Sequence, residues 1–587
     1  MADKNLITNY FSLNNAKQFK ESITEPANNI FYVFAARNTP YSSGDDNIPN
    51  IENTNFNVNI DPYKQMIFGK KVSNNDIKIM VPRYDWVSNT VYTAYRNDVD
   101  VSGNNYYAVV NAVSSFYVFK VLDNSNGSPS TVPPNFNDTS ADDDFYSTSD
   151  GYVWKYMYSI DRATFDKFAT NDYIPVVPNA NVSGNAVSGS IDVIIVTSGG
   201  SNYNTFLTNT FIVSDLAIGG DTTLYNISNT ASTANDFYNG SVLYIKNGTG
   251  AGQIKRIVDY RVIGSQKLVE LESSFSTLPD ATSVYEITPS VVITGDGSNA
   301  IARALVNTTS SNSISKIEII EKGYGYTFAN ATVLGNTGGV SNSAVLKAVL
   351  PPKGGHGKDA EIELGGKYLC ISVTFANNES NTIPVQNDYR TFGLLKDPLF
   401  SNVVLTISTA TGVFTDNESV TQDSSNAKGI VSESTSSTLT LSNVSGIFVT
   451  SQTVRGDISN ASANVISYLI GGQTKDFNTF DNRHRYTYSG GSGTFIEDEQ
   501  VYQLEMVNAN AVYFANDSNY YYLTNKFGTI NTGNTITGVN SSAVVTLTNY
   551  LEPDIVEGSG EVLYIENTDP TDRDINQSET IKLILKF

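Results

Sequence analysis

The chain has 587 residues with 59 Asp and Glu against 37 Lys and Arg, a formal net charge of −22, which opposes binding to DNA, RNA or acidic lipid, because affinity for those polyanions comes mostly from clustered Lys and Arg. At about 150 residues per domain the length suggests roughly four domains, and a composition rich in Asn, Ser, Thr, Gly, Val, Ile and Tyr but poor in strong helix formers predicts a mainly β protein. The one cysteine, Cys370, excludes an internal disulfide, the opening "MADKNLITNYFSL" has no basic region followed by an apolar stretch, and no window approaches about 18 apolar residues, so a cytosolic product without membrane insertion is expected.

Near the start, "NNAKQFKESI" predicts a short amphipathic helix with Asn15 as N-cap, Gln18 three residues on, and Ala16, Phe19 and Ile23 on one face. "NIFYVFAA", "SFYVFKVL" and "VWKYMYSI" then carry apolar, aromatic and β-branched residues in runs or in period two, and read as strands. From about residue 181 to 345 the texture changes to Ser, Thr, Asn, Gly and Val, and "VIIVTSGGSNY", ending at Tyr203, resembles "IEIIEKGYGY", ending at Tyr326. Between them, "GTGAGQ" has the glycines of a nucleotide loop. The "IKRIVDY" that follows continues as strand, whereas a dinucleotide loop opens a helix, so a hairpin turn is expected.

"PPKGGHGKDAEIELGG", Pro351 to Gly366, gathers loop formers, lysines and acids around His356. A phosphate loop needs Ser or Thr after its Gly-Lys pair, and here Asp359 would face the phosphate with a carboxylate. The stretch is expected to be the turn leading into the buried strand "KYLCISVTF", with Cys370 a small hydrophobe and His356 a turn or interface residue. His356 and His484 are the only histidines, too few beside one cysteine for a zinc site, and no serine elbow stands on a strand-to-helix turn. The acidic groups Asp142, Asp143 and Asp144, then Glu497, Asp498 and Glu499, then Asp569, Asp572 and Asp574 lack calcium-loop spacing and read as solvated loop charge. No catalytic residue, metal or cofactor is expected.

A second repetitive region runs from about 403 to 553. Gly412-Val-Phe414 with Glu418 and Val420 recurs as Gly446-Ile-Phe448 with Gln452 and Val454, as Gly493-Thr-Phe495 with Glu499 and Val501, and more faintly as Gly528-Thr-Ile530 with Asn534 and Ile536. Small-residue turns follow near Ala427, Ala461, Ala509 and Ala543. The pattern predicts a repeated β-hairpin that buries its apolar face by stacking on a neighbour. The chain closes on "ETIKLILKF", whose Ile581, Leu583, Leu585 and Phe587 share one strand face.

Five segments outside the repeats resemble one family in order. They are "IFYVFAARNTPYSS", "VPRYDW", "DGYVWKYMYSI" with the following "TNDYIPVVP", "YRTFGLLKDPL", and "SGEVLYIENTDP" with the closing strand. The chain is similar in them to the baseplate wedge subunit, the gene product eight family, of T-even-like contractile-tailed bacteriophages. The matching positions are Arg37, Pro40, Pro82, Arg83, Asp85, Trp86, Gly151, Tyr152, Trp154, Tyr564, Glu566 and Asn567. The resemblance covers about 1–180, 350–402 and 556–587, so that 181–349 and 403–555 read as insertions. It implies a mainly β, multidomain β-sandwich (α+β) core with two inserted β-rich, hairpin-repeat regions. It also implies a structural virion protein rather than an enzyme, homodimeric, assembled in the bacterial cytoplasm into the tail baseplate beside other wedge proteins. Tail fibre or peripheral plate proteins are possible partners of the insertions. Trp86 and Trp154 are expected to fix the fold. The alternative is a carbohydrate-binding or host-recognition protein acting through the repeats, and a glycan hydrolase would require a carboxylate pair in a cleft.

Overall fold

The computed structural model describes residues 7–25, 29–51, 60–135, 145–334, 342–377, 379, 383–384, 387–503, 509–574 and 576–587. Among these, 37 strands and five short α-helices make a mainly β protein, divided into two compact units, Met1–Ile79 with Lys367–Phe587, and Met80–Gly366. No described helix is long and apolar enough to cross a membrane.

The first unit is built on Phe31–Ala36, whose six residues are all buried. The strand is flanked by Met66–Lys71 and Asn387–Lys396, with Thr479–Asp481 and Glu561–Arg573 outermost, and a continuous apolar run suits a strand covered on both faces. Gly69 and Gly393 lie opposite Phe34 on its two neighbours; a Cβ on Gly393 would stand 2.4 Å from the Phe34 ring, so only glycine lets that ring lie flat across the sheet. Tyr368–Ala376 and Ser578–Lys586 form a second antiparallel pair, in register from Tyr368 opposite Lys586 to Ala376 opposite Ser578. The N-terminal helix runs Asn9–Thr24 and is capped by Thr8, whose hydroxyl accepts from Phe11 N–H at 3.1 Å, rather than by Asn15. It starts earlier than its sequence pattern suggested because Ser12 and Leu13 extend the buried face of Ala16 and Ile23. Phe19 packs edge-on against Phe31 and tilts on Phe587.

The repeats of the second repetitive region close into two six-stranded barrels rather than an open stack. The first uses Val403–Ile407, Ser419–Gln422, Ala427–Ser434, Thr438–Ser445, Thr453–Gly456 and Ser462–Ile470. The second uses His484–Ser492, Gln500–Gln503, Asn510–Asn516, Tyr521–Phe527, Thr535–Gly538 and Val544–Leu551. Both have the order first, fourth, third, second, fifth, sixth, with the sixth returning to the first. That order maps onto itself when strands one to three exchange with four to six, so each barrel is two interlocked copies of one half-unit.

The recurring glycines and alanines are where the halves touch. A Cβ on Gly412 would lie 3.4 Å from Ala461 Cα, one on Gly446 2.9 Å from Ala427 Cα, and one on Gly493 3.0 Å from Ala543 Cα. The recurring acid is a lock. Glu418 accepts from Thr415 N–H at 2.6 Å, Ile458 N–H at 3.0 Å, Ser459 N–H at 2.9 Å and the Ser459 hydroxyl at 2.7 Å. Glu499 does the same with Ile496, Asn540 and Ser541. Gln422 and Gln503 each exchange two hydrogen bonds with one backbone unit, Val449 and Asn531 respectively. Glu499 is therefore buried, a correction to its reading as solvated loop charge. Glu497, Asp569, Asp572 and Asp574 are exposed, Asp498 is half-buried, and Asp142, Asp143 and Asp144 fall outside the described residues.

The second unit contains a four-stranded sheet ordered Tyr107–Asn111, Ser115–Asn124, Tyr152–Asp161, Phe145–Ser147. It also has a six-stranded sheet around buried Tyr225, Tyr260 and Tyr285, and three antiparallel pairs that share a core with Tyr203 and Tyr326. "GTGAGQ" is a hairpin turn between Val242–Asn247 and Ile254–Ile263, with Gly248, Gly250 and Gly252 at positive φ.

Candidate functional site

The family-like residues assemble into two structural nodes. In the second unit, Trp86 Nε1 donates to Ser130 Oγ at 3.1 Å, and that hydroxyl donates to Asp150 at 3.1 Å. Asp150 also accepts from Thr131 N–H at 2.8 Å and Val132 N–H at 2.9 Å. Burial pushes its carboxyl up, but the hydrogen bonds outweigh it and hold the group below its ordinary value. Gly151, at φ +92, makes the turn that follows; a Cβ there would meet Ser125 Oγ at 2.5 Å. Tyr152 then stacks on Trp154 at 5.3 Å, and Tyr92 meets Trp154 edge-on at 5.6 Å. Trp154 is fully buried. Arg83 grips Asp85 at 2.9 and 2.8 Å and donates to Thr170 O at 3.0 Å, while Pro82 O accepts from the Tyr107 hydroxyl at 2.6 Å.

In the first unit, Arg37 takes a left-handed φ of 56° and donates to Pro40 O at 3.2 Å and to Gln65 Oε1 at 3.3 Å. Asn567 links strands by donating to Pro49 O and accepting from the Thr391 hydroxyl, both at 2.9 Å. The Tyr564 hydroxyl donates to Glu566 at 2.6 Å. Most of these groups tie one chain segment to another; Tyr564 and Glu566 bond along a single strand, and Trp154 is held by ring packing with Nε1 unpartnered among the described residues.

Three buried ionic clusters were not visible as sites in the sequence. Around His356, the Lys120 ammonium lies 2.8 Å from Glu363, 3.2 Å from His356 Nδ1 and 3.7 Å from the centre of the Tyr95 ring. Glu363 also accepts from Gly357 N–H at 2.7 Å. Burial, then the Lys120 charge, lowers the His356 pKa, so the imidazole is neutral and accepts from the ammonium through Nδ1. His356 thus sits inside a closed ion-paired turn, and Asp359 caps the short helix Ala360–Glu363 through Ile362 N–H. A second cluster joins the necks of the barrels: Asp554 accepts from Lys475, from Arg485 at 3.3 Å and from Asp481 N–H at 2.6 Å. Arg483 pairs with Asp481 at 3.0 and 2.9 Å. In the third, Arg390 forks onto both Asp45 and Asp388. The sequence signal that would have found two of them is a lysine or arginine inside an apolar strand, as Lys120 is in "SFYVFKVL" and Arg390 in "YRTFGLL".

The arrangements differ in what they can do. In each cluster opposite charges face one another, with Arg485 Nε and Nη1 left without a hydrogen-bond partner among the described residues, and ion pairs of this kind hold conformation. Space for a ligand lies elsewhere in the first unit, in a cleft of about 710 Å³ whose lining includes Lys70, Lys71, Tyr468, Thr474, Asp476 and Asn478. Among the described residues no group of three His, Cys, Asp or Glu side chains is placed to hold a metal ion. The chain matches no protein-family model and no curated protein sequence.

Proposed function

We propose that the chain is a structural virion protein, a baseplate wedge subunit of a contractile phage tail that links neighbouring wedge proteins during baseplate assembly and rearrangement. The observation that carries the reading is the order of five family-like segments from Ile30 to Phe587. The engagement of their side chains in scaffold contacts, described above, supports it. A permanent assembly also needs free sheet margins, and Ser578–Lys586 has a single strand partner, Tyr368–Ala376, among the described residues. Homodimerisation and contact with other wedge proteins belong to the same proposal, with the repeat regions offering surface to fibre or peripheral plate proteins. The net charge of −22 argues against nucleic acid as the partner.

The test is quantitative mass spectrometry of purified phage tails with baseplates separated from tubes and fibres. Two copies per wedge, confined to the baseplate, is the expected result. Absence from the plate, or recovery with the fibres, overturns the reading.

A further inference from the structure

The two barrels provide an internal comparison. Tyr468 and Tyr550 hold the same place in them, each on the sixth strand opposite the third residue of the first strand, Leu405 in one and Tyr486 in the other. At Tyr550 the protein fills the neighbouring space with itself. The His484 ring stacks on it at 6.0 Å, His484 Nδ1 lies 2.8 Å from its hydroxyl, and the Lys526 ammonium stands 4.7 Å from the ring centre. The cavity left beside His484 and Lys526 is about 10 Å³.

By the same strand registers, Val403 and Val444 replace His484 and Lys526 in the first barrel. There the Tyr468 ring is backed by Phe477 at 5.2 Å and is half-buried, and its hydroxyl has no hydrogen-bond partner among the described residues. The cleft of about 710 Å³ opens beside it, within the roughly 300–1,000 Å³ range of small-ligand sites.

We propose that this cleft binds a short neutral oligosaccharide, with Tyr468 as the stacking platform. The lining chemistry selects that class. Lys475 is neutralised by Asp554, and the remaining lining charges are Lys70 and Lys71 against Asp76, Glu379 and Asp476, so no positive field favours a polyanion. Every lining side chain carries a polar atom, apolar carbon makes up much of the exposed wall, and Tyr468 is the one ring among them, a mixed surface that suits an amphipathic ligand. Hydroxyls on a sugar use donors and acceptors alike, and Lys71, Ser467, Thr450 and Asn478 supply both. A pyranose face needs one aromatic surface, and an amphipathic tyrosine supplies it at small entropic cost. The inference does not rest on the tail reading and stands or falls separately from it.

The experiment is saturation-transfer NMR on the full chain with maltotriose, cellotriose, chitotriose and mannotriose, and with their monosaccharides, at millimolar concentration. At least one trisaccharide is expected to bind. Tyr468→Ala is expected to weaken it about tenfold or more, the loss typical of an aromatic anchor. Tyr550→Phe leaves binding unchanged. Thr450→Trp, a substitution at an exposed lining position, plugs the cleft and abolishes binding even if Tyr468→Ala does not fold. A preference for trimer over monomer assigns a glycan chain, and equal binding assigns a free sugar; both support the site. Binding of none of these sugars, or unchanged binding by folded Tyr468→Ala and Thr450→Trp proteins, overturns it.

Discussion

Replacing Glu363 by Gln removes the carboxylate that lies 2.8 Å from the fully buried Lys120 ammonium. Against burial, which pushes it up, the Lys120 charge draws the Glu363 carboxyl from its ordinary 4.5 to about 2. At about 1.36 kcal/mol per pH unit that difference is worth about 3 kcal/mol, inside the roughly 3–5 kcal/mol expected for breaking a buried pair. In the wild type a lowered carboxyl pKa means stability present above pH 4.5 and lost as the pH falls toward about 2. In the variant the titrating group is Lys120. Burial lowers the Lys120 pKa and Glu363 raises it; without Glu363 the folded lysine sheds a proton that the unfolded chain keeps until about pH 10. The deficit therefore shrinks as the pH rises toward about 10. Lys120→Met strands the carboxylate instead, and its deficit grows as the pH rises above about 4.5. Both tryptophans, Trp86 and Trp154, lie in Met80–Gly366, so tryptophan fluorescence in a denaturant titration of the full chain reads this unit selectively. A loss below about 1 kcal/mol for Glu363→Gln, or a deficit that stays flat with pH, refutes the argument that this pair is a buried, charged lock.

Four further outcomes are expected. Glu418→Ala orphans three backbone N–H groups and a hydroxyl, costs about 3–5 kcal/mol in the first barrel, and raises deuterium uptake at Ile458 and Ser459 by hydrogen-exchange mass spectrometry. Gly446→Ala costs more than about 2 kcal/mol, because φ is +81° and the new Cβ would stand 2.9 Å from Ala427 Cα. Gly412→Ala, with ordinary φ and a 3.4 Å approach to Ala461, stays within about 1 kcal/mol by thermal denaturation. Cys370, fully buried with its thiol pushed up to about 12 by burial, resists iodoacetamide at neutral pH until denaturant is added; rapid labelling of the native chain contradicts its place in the sheet.

Local signals were legible where the chemistry is local. Apolar runs marked Phe31–Ala36 and Tyr152–Asp161, and glycine turns marked the hairpin at Gly248 to Gly252. The repeat was also readable, down to Gly446, Glu499 and Ala543, but its closure was not. Gly412, Gly446 and Gly493 each pack on the alanine of the other half of their barrel, so the partner is set by strand pairing across tens of residues, which a period does not encode. The same holds for the ionic clusters. Lys120 and Glu363 are 243 positions apart, and only the fold makes a lysine in an apolar strand and a glutamate after a glycine loop into one object. Tyr468 is a plain strand residue in sequence. Its difference from Tyr550 lies in Val403 and Val444, neither of which draws attention alone.

Closure of the barrels has a consequence for how such a chain can be edited. The first barrel enters at Val403 and leaves at Ile470, which are paired residues on adjacent strands, and the second enters and leaves through Arg485 and Leu551, paired in the same way. The necks are tied again by Asn402 O to Gly471 N–H at 2.9 Å and by Asp481 O to Asp554 N–H at 3.0 Å. Entry and exit are thus one strand spacing apart, about 5 Å. Each barrel is a cassette mounted on a single stem. The first barrel also shares a core with Tyr32, Phe34 and Leu395, and the second bonds Asn38 through Asp498 and Thr524, so an exchange spliced at the stem keeps the chain ends together but has to preserve those docking side chains; two cassettes of the same topology in tandem are what copying at such stems leaves behind.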